Sequence, residues 1–181
     1  MDNNKIHISG IVKESSVDFI NLNYVIFVQG CNHKCEGCHN KHTWDYSSDI
    51  GTYITFDEII NDINNNPLLD GLVLSGGEPL DKVDILIELC KRVRKETSLK
   101  NITCFTGYVF EEIIKDSNKS KILNYIDYLV DGPFILEKKD YRCLFRGSTN
   151  QRIIDIKETI KNNYNIVLFD EEKYMSKWND I

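Results

Sequence analysis

The chain lacks a membrane span: no run approaches the ~18 consecutive apolar residues that cross a bilayer as a helix. It also lacks a surplus of positive charge. Lys and Arg number 22 against 28 Asp and Glu, for a net charge of −6. General nucleic-acid binding wants a basic face, so the charge argues against that class. A secretory signal is missing too, because Met1-Asp2-Asn3-Asn4-Lys5 has neither an apolar core nor a cleavage site. No internal repeat, low-complexity tract or linker interrupts the sequence. These absences predict one domain over 1–181, cytoplasmic and away from membranes. The hydrophobic fraction of 41% and charged fraction of 28% are those of a soluble globular protein. A chain of 181 residues buries roughly 70% of its unfolded surface, so its core needs no disulfides.

What is present is an alternation of strand and helix signals. Apolar, β-branched runs predict buried strands over 24–28, 71–75, 102–105 and 128–130, with a fifth at 153–154 and a sixth over 166–169. Thr55-Phe56-Asp57-Glu58 is a capping box, opening a helix that runs to about residue 64. Asp81 caps a second helix, with one apolar stripe at Ile85, Leu86, Leu89, Cys90 and Val93. A third helix is expected over 108–114. Strands that are apolar throughout and separated by helices predict an α/β fold with a mostly parallel sheet of five to six strands. A closed eight-unit barrel typically takes about 250 residues. The expected architecture is therefore a partial, open TIM-like β/α barrel, with its chemistry at the carboxyl ends of the strands.

Six cysteines remain. A disulfide framework would space them evenly. Instead Cys31, Cys35 and Cys38 crowd into C-x3-C-x2-C directly after the first predicted strand. That pattern reads as a metal or redox site in a reducing compartment. Three thiolates can hold three irons of a cubane and leave the fourth open to a ligand. Electron-transfer ferredoxins use four cysteines, in the run C-x2-C-x2-C-x3-C-P. The rival is zinc, with one of His33, His39 or His42 closing a tetrahedron. Cys90, on the helix stripe, and Cys104, in a strand, read as core residues. Cys143, in a polar loop, is either a free thiol or a redox group. Lys34 reads as a solvated loop lysine.

Ser75-Gly76-Gly77-Glu78-Pro79 follows the second predicted strand. Alone it is a tight turn, in which glycine supplies unusual backbone angles. Beside the cysteines it becomes a place where the backbone can approach a ligand, and where main-chain carbonyls and Glu78 can receive an amino group. Here the chain resembles the radical S-adenosylmethionine superfamily, on Cys31, Cys35, Cys38 and Gly76-Gly77-Glu78-Pro79. Four further stretches narrow the resemblance: Cys38-His39-Asn40-Lys41-His42-Thr43-Trp44, Phe105-Thr106-Gly107-Tyr108, Asp131-Gly132-Pro133-Phe134 and Arg146-Gly147-Ser148-Thr149-Asn150-Gln151-Arg152. In this order they are similar to the anaerobic ribonucleoside-triphosphate reductase activating proteins, small glycyl-radical activases. The chain departs from the family pattern in two places. Gly37 stands where an aromatic often precedes the third cysteine, and Asp18-Phe19-Ile20-Asn21-Leu22 stands in place of an Asp-Gly-Pro-Gly-like entry turn.

The resemblance implies one [4Fe-4S] cluster on Cys31, Cys35 and Cys38, with S-adenosylmethionine as second cofactor. Gly37, Cys38, His39, Gly76, Gly77, Glu78, Thr106 and Asp131 are the implied cofactor contacts. It implies reductive cleavage to methionine and a 5′-deoxyadenosyl radical, which takes a hydrogen atom from a glycine of the anaerobic reductase. Reduced flavodoxin or a similar donor recharges the cluster. The residues also have plainer readings. Thr106 and Asp131 are equally caps and turn formers, and His39 serves local hydrogen bonds. Trp44 and Tyr108 read as packing residues. Arg142, Arg146 and Arg152 either engage the partner or the cofactor carboxylate, or are solvated. Two other functions remain open at this stage: a radical enzyme acting on another protein or peptide, and a zinc-stabilised interaction module.

Overall fold

The run expected over 24–28 forms β2 (Asn23–Val28), and three later apolar runs form β4 (Gly71–Gly76), β5 (Asn101–Phe105) and β6 (Tyr128–Asp131). These four strands are mutually parallel. Val28 pairs with Gly76, so the carboxyl ends of β2 and β4 lie side by side. The computed structural model describes residues 4–47 and 49–179. Residues 1–3, part of the stretch read as lacking a signal, lie outside the described residues. Among the described residues no helix is long and apolar enough to cross a membrane.

The sheet corrects two expectations. It has seven strands, in the order β3-β1-β2-β4-β5-β6-β7, and it is mixed instead of mostly parallel. β1 (Lys5–Ser15) lies antiparallel to β2, and β3 (Thr52–Thr55) antiparallel to β1. β7 (Arg152–Asp155) runs antiparallel to β6. The apolar-run criterion passes over β1 because His7, Ser9, Gly10 and Lys13 interrupt its apolar residues. β3 is only four residues long and sits at the sheet's edge. The strand expected over 166–169 is an isolated bridge, Ile154 to Leu168.

The helices are α1 (Phe56–Asn64), α2 (Val83–Glu96), α3 (Phe110–Ile113), α4 (Ile156–Lys161) and α5 (Glu171–Asn179). The capping box at α1 forms as expected: Glu58 N donates to Thr55 Oγ1 (3.2 Å), and Thr55 N donates to Glu58 Oε2 (2.9 Å). Asp81 does not cap α2. A 3-10 turn over Pro79–Lys82 precedes that helix, with Glu78 at its N-cap. The Asp81 carboxylate instead accepts the hydroxyls of Tyr46 and Tyr108. The third helix shortens to the single turn of α3.

Strand alternation sorts side chains to two faces. Tyr24, Ile26 and Val28 pack with α1, α2 and α3 in the larger core, which also takes Leu72, Leu74, Ile102 and Leu129. Cys90 and Cys104 are fully buried there, and burial pushes the Cys90 thiol up to about 12. Both are core residues, as read. Val25, Phe27, Val73, Phe105 and Val130 point to the other face. No residue of α1–α4 joins that second cluster. Phe19, from the β1–β2 connection, covers part of it, and Phe145 and Phe169 cover more.

Candidate metal and cofactor site

After β2 the chain turns at Gly30, with φ +101°, where a Cβ would lie 2.3 Å from the Tyr46 ring. Gly30 N donates to Thr43 O (2.7 Å) and Cys31 N to Trp44 O (3.1 Å). The segment between is thus a closed loop hung from the end of β2, and it carries all three clustered cysteines. Cys38 N donates to Cys35 O (3.1 Å). Gly37 has φ +71°, a left-handed bend that glycine adopts without strain. Cys31 is buried, Cys35 and Cys38 are half-buried, and all three are free thiols. Burial raises the pKa of Cys31 and Cys35, which disfavours thiolate until a cation is supplied.

The end of β4 stacks on this loop. Gly77 N donates to Val28 O (2.9 Å) and Glu78 N to Gly30 O (2.8 Å). A Cβ on Gly77 would lie 2.2 Å from Gly30 O, and one on Gly76 would lie 2.6 Å from the Phe27 backbone. The two glycines therefore let two strand ends touch main chain to main chain.

Glu78 is 1% exposed, and its carboxylate is saturated. Oε1 accepts from Thr106 Oγ1 (2.7 Å) and Leu80 N (2.8 Å). Oε2 accepts from Gly107 N (2.8 Å) and lies 2.9 Å from His33 Nε2. A buried carboxylate is tolerable only with such donors. The bond to Glu78 is the main reason the His33 pKa is raised. One side chain thus joins the cysteine loop, the end of β4 and the end of β5.

These groups line one cavity of about 620 Å³, a volume suited to a small cofactor. Cys31, Cys35, Cys38, Gly76, Gly77 and Glu78 all border it. A larger groove, about 1510 Å³, runs along α2 but holds none of the three thiols. Among the described residues no three His, Cys, Asp or Glu side chains converge to hold one metal ion. A cubane asks for something different, because each thiolate takes its own iron.

Residues 21–154 match the family described as 4Fe-4S single cluster domain. The chain is 40% identical over 136 residues to the anaerobic ribonucleoside-triphosphate reductase-activating protein of Haemophilus influenzae, which covers 71% of this chain and 84% of that one. The Escherichia coli K12 protein of the same name is 37% identical over 142 residues, or 75% and 91% of the two chains. That of Enterobacteria phage T4 is 36% identical over 143 residues, or 75% and 87%. The chain belongs to this family of activating proteins. Among solved structures, QueE from Escherichia coli aligns at 17% identity and a TM-score of 0.43, over 57% of this chain and 52% of that one. The family's cofactors, a single [4Fe-4S] cluster and S-adenosylmethionine, are the groups to be tested against the donor set above. Three free thiols and a glycine-lined wall in one cavity suit that pair.

In this activating protein the remaining predicted residues divide. His39 and Thr106 border the cavity. The Thr106 hydroxyl is already engaged, donating to Glu78 and accepting from Tyr108 N (3.1 Å). Asp131 is not among the lining residues. It is fully buried, accepts from Phe110 N at the start of α3 (2.8 Å), and takes both Nε and Nη2 of Arg152. Arg152 also grips both carboxylate oxygens of Glu111. It thereby ties β7 to β6 and α3. Arg146 borders the cavity and pairs with Glu171 of α5 (2.6 Å), while Arg142 pairs with Asp140 on the surface. Trp44 borders the cavity too, and Tyr108 binds Asp81. Cys143 borders the same cavity, which settles its location though its polar loop did not announce it. The sequence offers His33 only as a zinc candidate. Its link to Glu78 spans 45 positions, and no local spacing signals it.

Arg152→Ala should lower unfolding stability by about 3 kcal/mol, because it strands the buried Asp131 carboxylate. Urea denaturation checks this, and a loss under about 0.5 kcal/mol, the range of ordinary surface changes, would contradict it. Arg152 also holds the Glu111 carboxyl down to about 2. That contribution is complete above the ordinary carboxylate pKa and is lost as pH falls toward about 2.

Proposed function

We propose that this chain, as a single domain, activates anaerobic ribonucleoside-triphosphate reductase by generating a glycyl radical on it. Cys31, Cys35 and Cys38 would hold the [4Fe-4S] cluster, and the backbone at Gly76-Gly77 would face S-adenosylmethionine. When bound, this pair would supply reductive, radical-generating chemistry directed at a glycine Cα–H of the partner. The observation that carries this reading is the sharing of one cavity by the three thiols and the glycine pair. The protein's part is placement. Glu78 holds the cysteine loop and the ends of β4 and β5 in one arrangement. The cavity wall would shield the bound cofactor from side reactions. Gly37, His39 and Thr106 are proposed as cofactor neighbours, while Asp131 acts at one remove by seating α3. Helices on one face and a cavity on the other support the partial-barrel reading. A low-potential donor such as reduced flavodoxin and a cytoplasmic setting complete the proposal.

The test uses reconstituted protein, reductant, S-adenosylmethionine and reductase carrying deuterated glycine. Deuterium should appear in 5′-deoxyadenosine, and a carbon-centred radical should form on the reductase. Cofactor cleavage without either signal would assign a different protein or peptide substrate. A colourless zinc protein would leave an interaction module in its place.

A further inference from the structure

Hydrogen abstraction requires the reacting atoms to come within about 3–3.5 Å. A glycine Cα in a folded partner must therefore enter the cavity with its backbone, and the rim of that cavity must meet the neighbouring residues. Among the described large hydrophobics the three most exposed are Tyr141 at 89%, Val17 at 78% and Leu68 at 73%. Singly exposed apolar side chains need no explanation. Two of these three, however, border the same cavity as the cluster cysteines. They arrive from separate parts of the fold, Val17 from the β1–β2 connection and Tyr141 from the loop between β6 and β7.

Both sit on braced backbone. Ser15 Oγ accepts from Val17 N and Asp18 N (3.3 Å each) and donates to the Asp18 carboxylate, which fixes the tip of the first loop. Phe19, two residues on, is wholly buried and anchors it. In the second loop Lys139 pairs with Ser148 in a β-bridge, Asp140 N donates to Gly147 O (3.3 Å), and the Lys139 ammonium stacks 4.6 Å from the Tyr141 ring centroid. An exposed aromatic on a pre-ordered loop is the kind of group that anchors an interface, because little freedom is lost on binding.

We propose that Val17 and Tyr141 form the docking rim for one occupant: an extended, glycine-bearing backbone segment of the protein substrate, with apolar side chains beside the glycine. This rests on the activase reading above and adds where the substrate is gripped. The segment crosses the opening, its flanking apolar groups cover Val17 and Tyr141, and its glycine, having no side chain, is the part that passes inside. Both rim side chains would leave water only in the complex.

The experiment measures affinity directly, with cluster-loaded chain, S-adenosylmethionine and immobilised anaerobic reductase. Val17→Asp and Tyr141→Ala should each raise Kd at least tenfold. Leu68→Asp, equally exposed but away from the cavity, should leave Kd unchanged. Amide exchange at 16–18 and 139–143 should slow on complex formation in the unsubstituted chain. Unaltered Kd in both rim variants would overturn the docking rim. If the unsubstituted chain still labels and activates the reductase, the activase reading survives that result. A chain that cleaves the cofactor but never binds the reductase overturns both.

Discussion

Cys31→Ala, Cys35→Ala and Cys38→Ala proteins should each hold more than about tenfold less iron than the unsubstituted chain after anaerobic reconstitution. Outer-shell partners alone are worth about 10- to 100-fold in metal affinity, and a ligand is worth more. A cubane on three thiolates has no spare protein ligand. No three His, Cys, Asp or Glu side chains among the described residues converge on one metal position, so no preformed alternative site competes for the iron. Cys90→Ala and Cys104→Ala should keep their iron, because both thiols are fully buried in the helix-side core. Cys143→Ala is the stricter control. Its thiol borders the same cavity, so retention of iron there shows that spacing in the loop, and not mere proximity, selects the ligands. Iron content and the visible sulfur-to-iron absorption read the outcome. Equal loss in both groups of variants would refute the ligand assignment.

Gly77→Val should lose iron and S-adenosylmethionine binding together. A side chain at Gly77 that met only the cofactor would obstruct it and spare the cluster. In the structure it meets the main chain. An added Cβ meets Gly30 O at 2.2 Å and Val28 O at 3.1 Å, both backbone atoms that cannot swing aside. Gly30 immediately precedes Cys31, and its carbonyl accepts from Glu78 N. Displacing it moves the first ligand and the Glu78 staple at once. Gly77→Ala should show the same loss to a smaller degree, because it brings the same Cβ without the branch. Paired iron analysis and equilibrium binding separate the cases. Intact iron with weakened cofactor binding would restore the simpler view, and no effect on either would reduce the glycines to a turn.

Local signals were legible where local physics decides. The capping box at Thr55 and Glu58 involves residues three apart, and it forms as read. Four apolar runs became the four parallel strands because strands covered on both faces need continuous apolar sequence. β1 and β3 escaped that criterion because part of their surface remains in water. Asp81 shows the opposite failure. It has the right residue type and position for a cap, yet two tyrosine hydroxyls, 35 and 27 positions away, claim its carboxylate. In the same way Arg152 looked available for a partner until Asp131 and Glu111 were found in its grip.

The amino-acid sequence by itself determined the family, the capping box of α1 and the four parallel strands. Each of these is written in spacings of a few residues or in one stretch of matching motif. Only the tertiary structure decided that four groups surround the Glu78 carboxylate, that a Cβ on Gly77 would meet the Gly30 carbonyl, and that Asp131 is held by Arg152 and Phe110 N. It also brought Val17 and Tyr141 to one cavity from segments far apart in the chain. The reason is physical. Hydrogen-bond partners for a buried carboxylate, and the space left by a missing Cβ, are supplied by whichever strand end the sheet order places alongside. That order, β3-β1-β2-β4-β5-β6-β7 with the four parallel strands β2, β4, β5 and β6 side by side, comes from long-range pairing that no short spacing encodes.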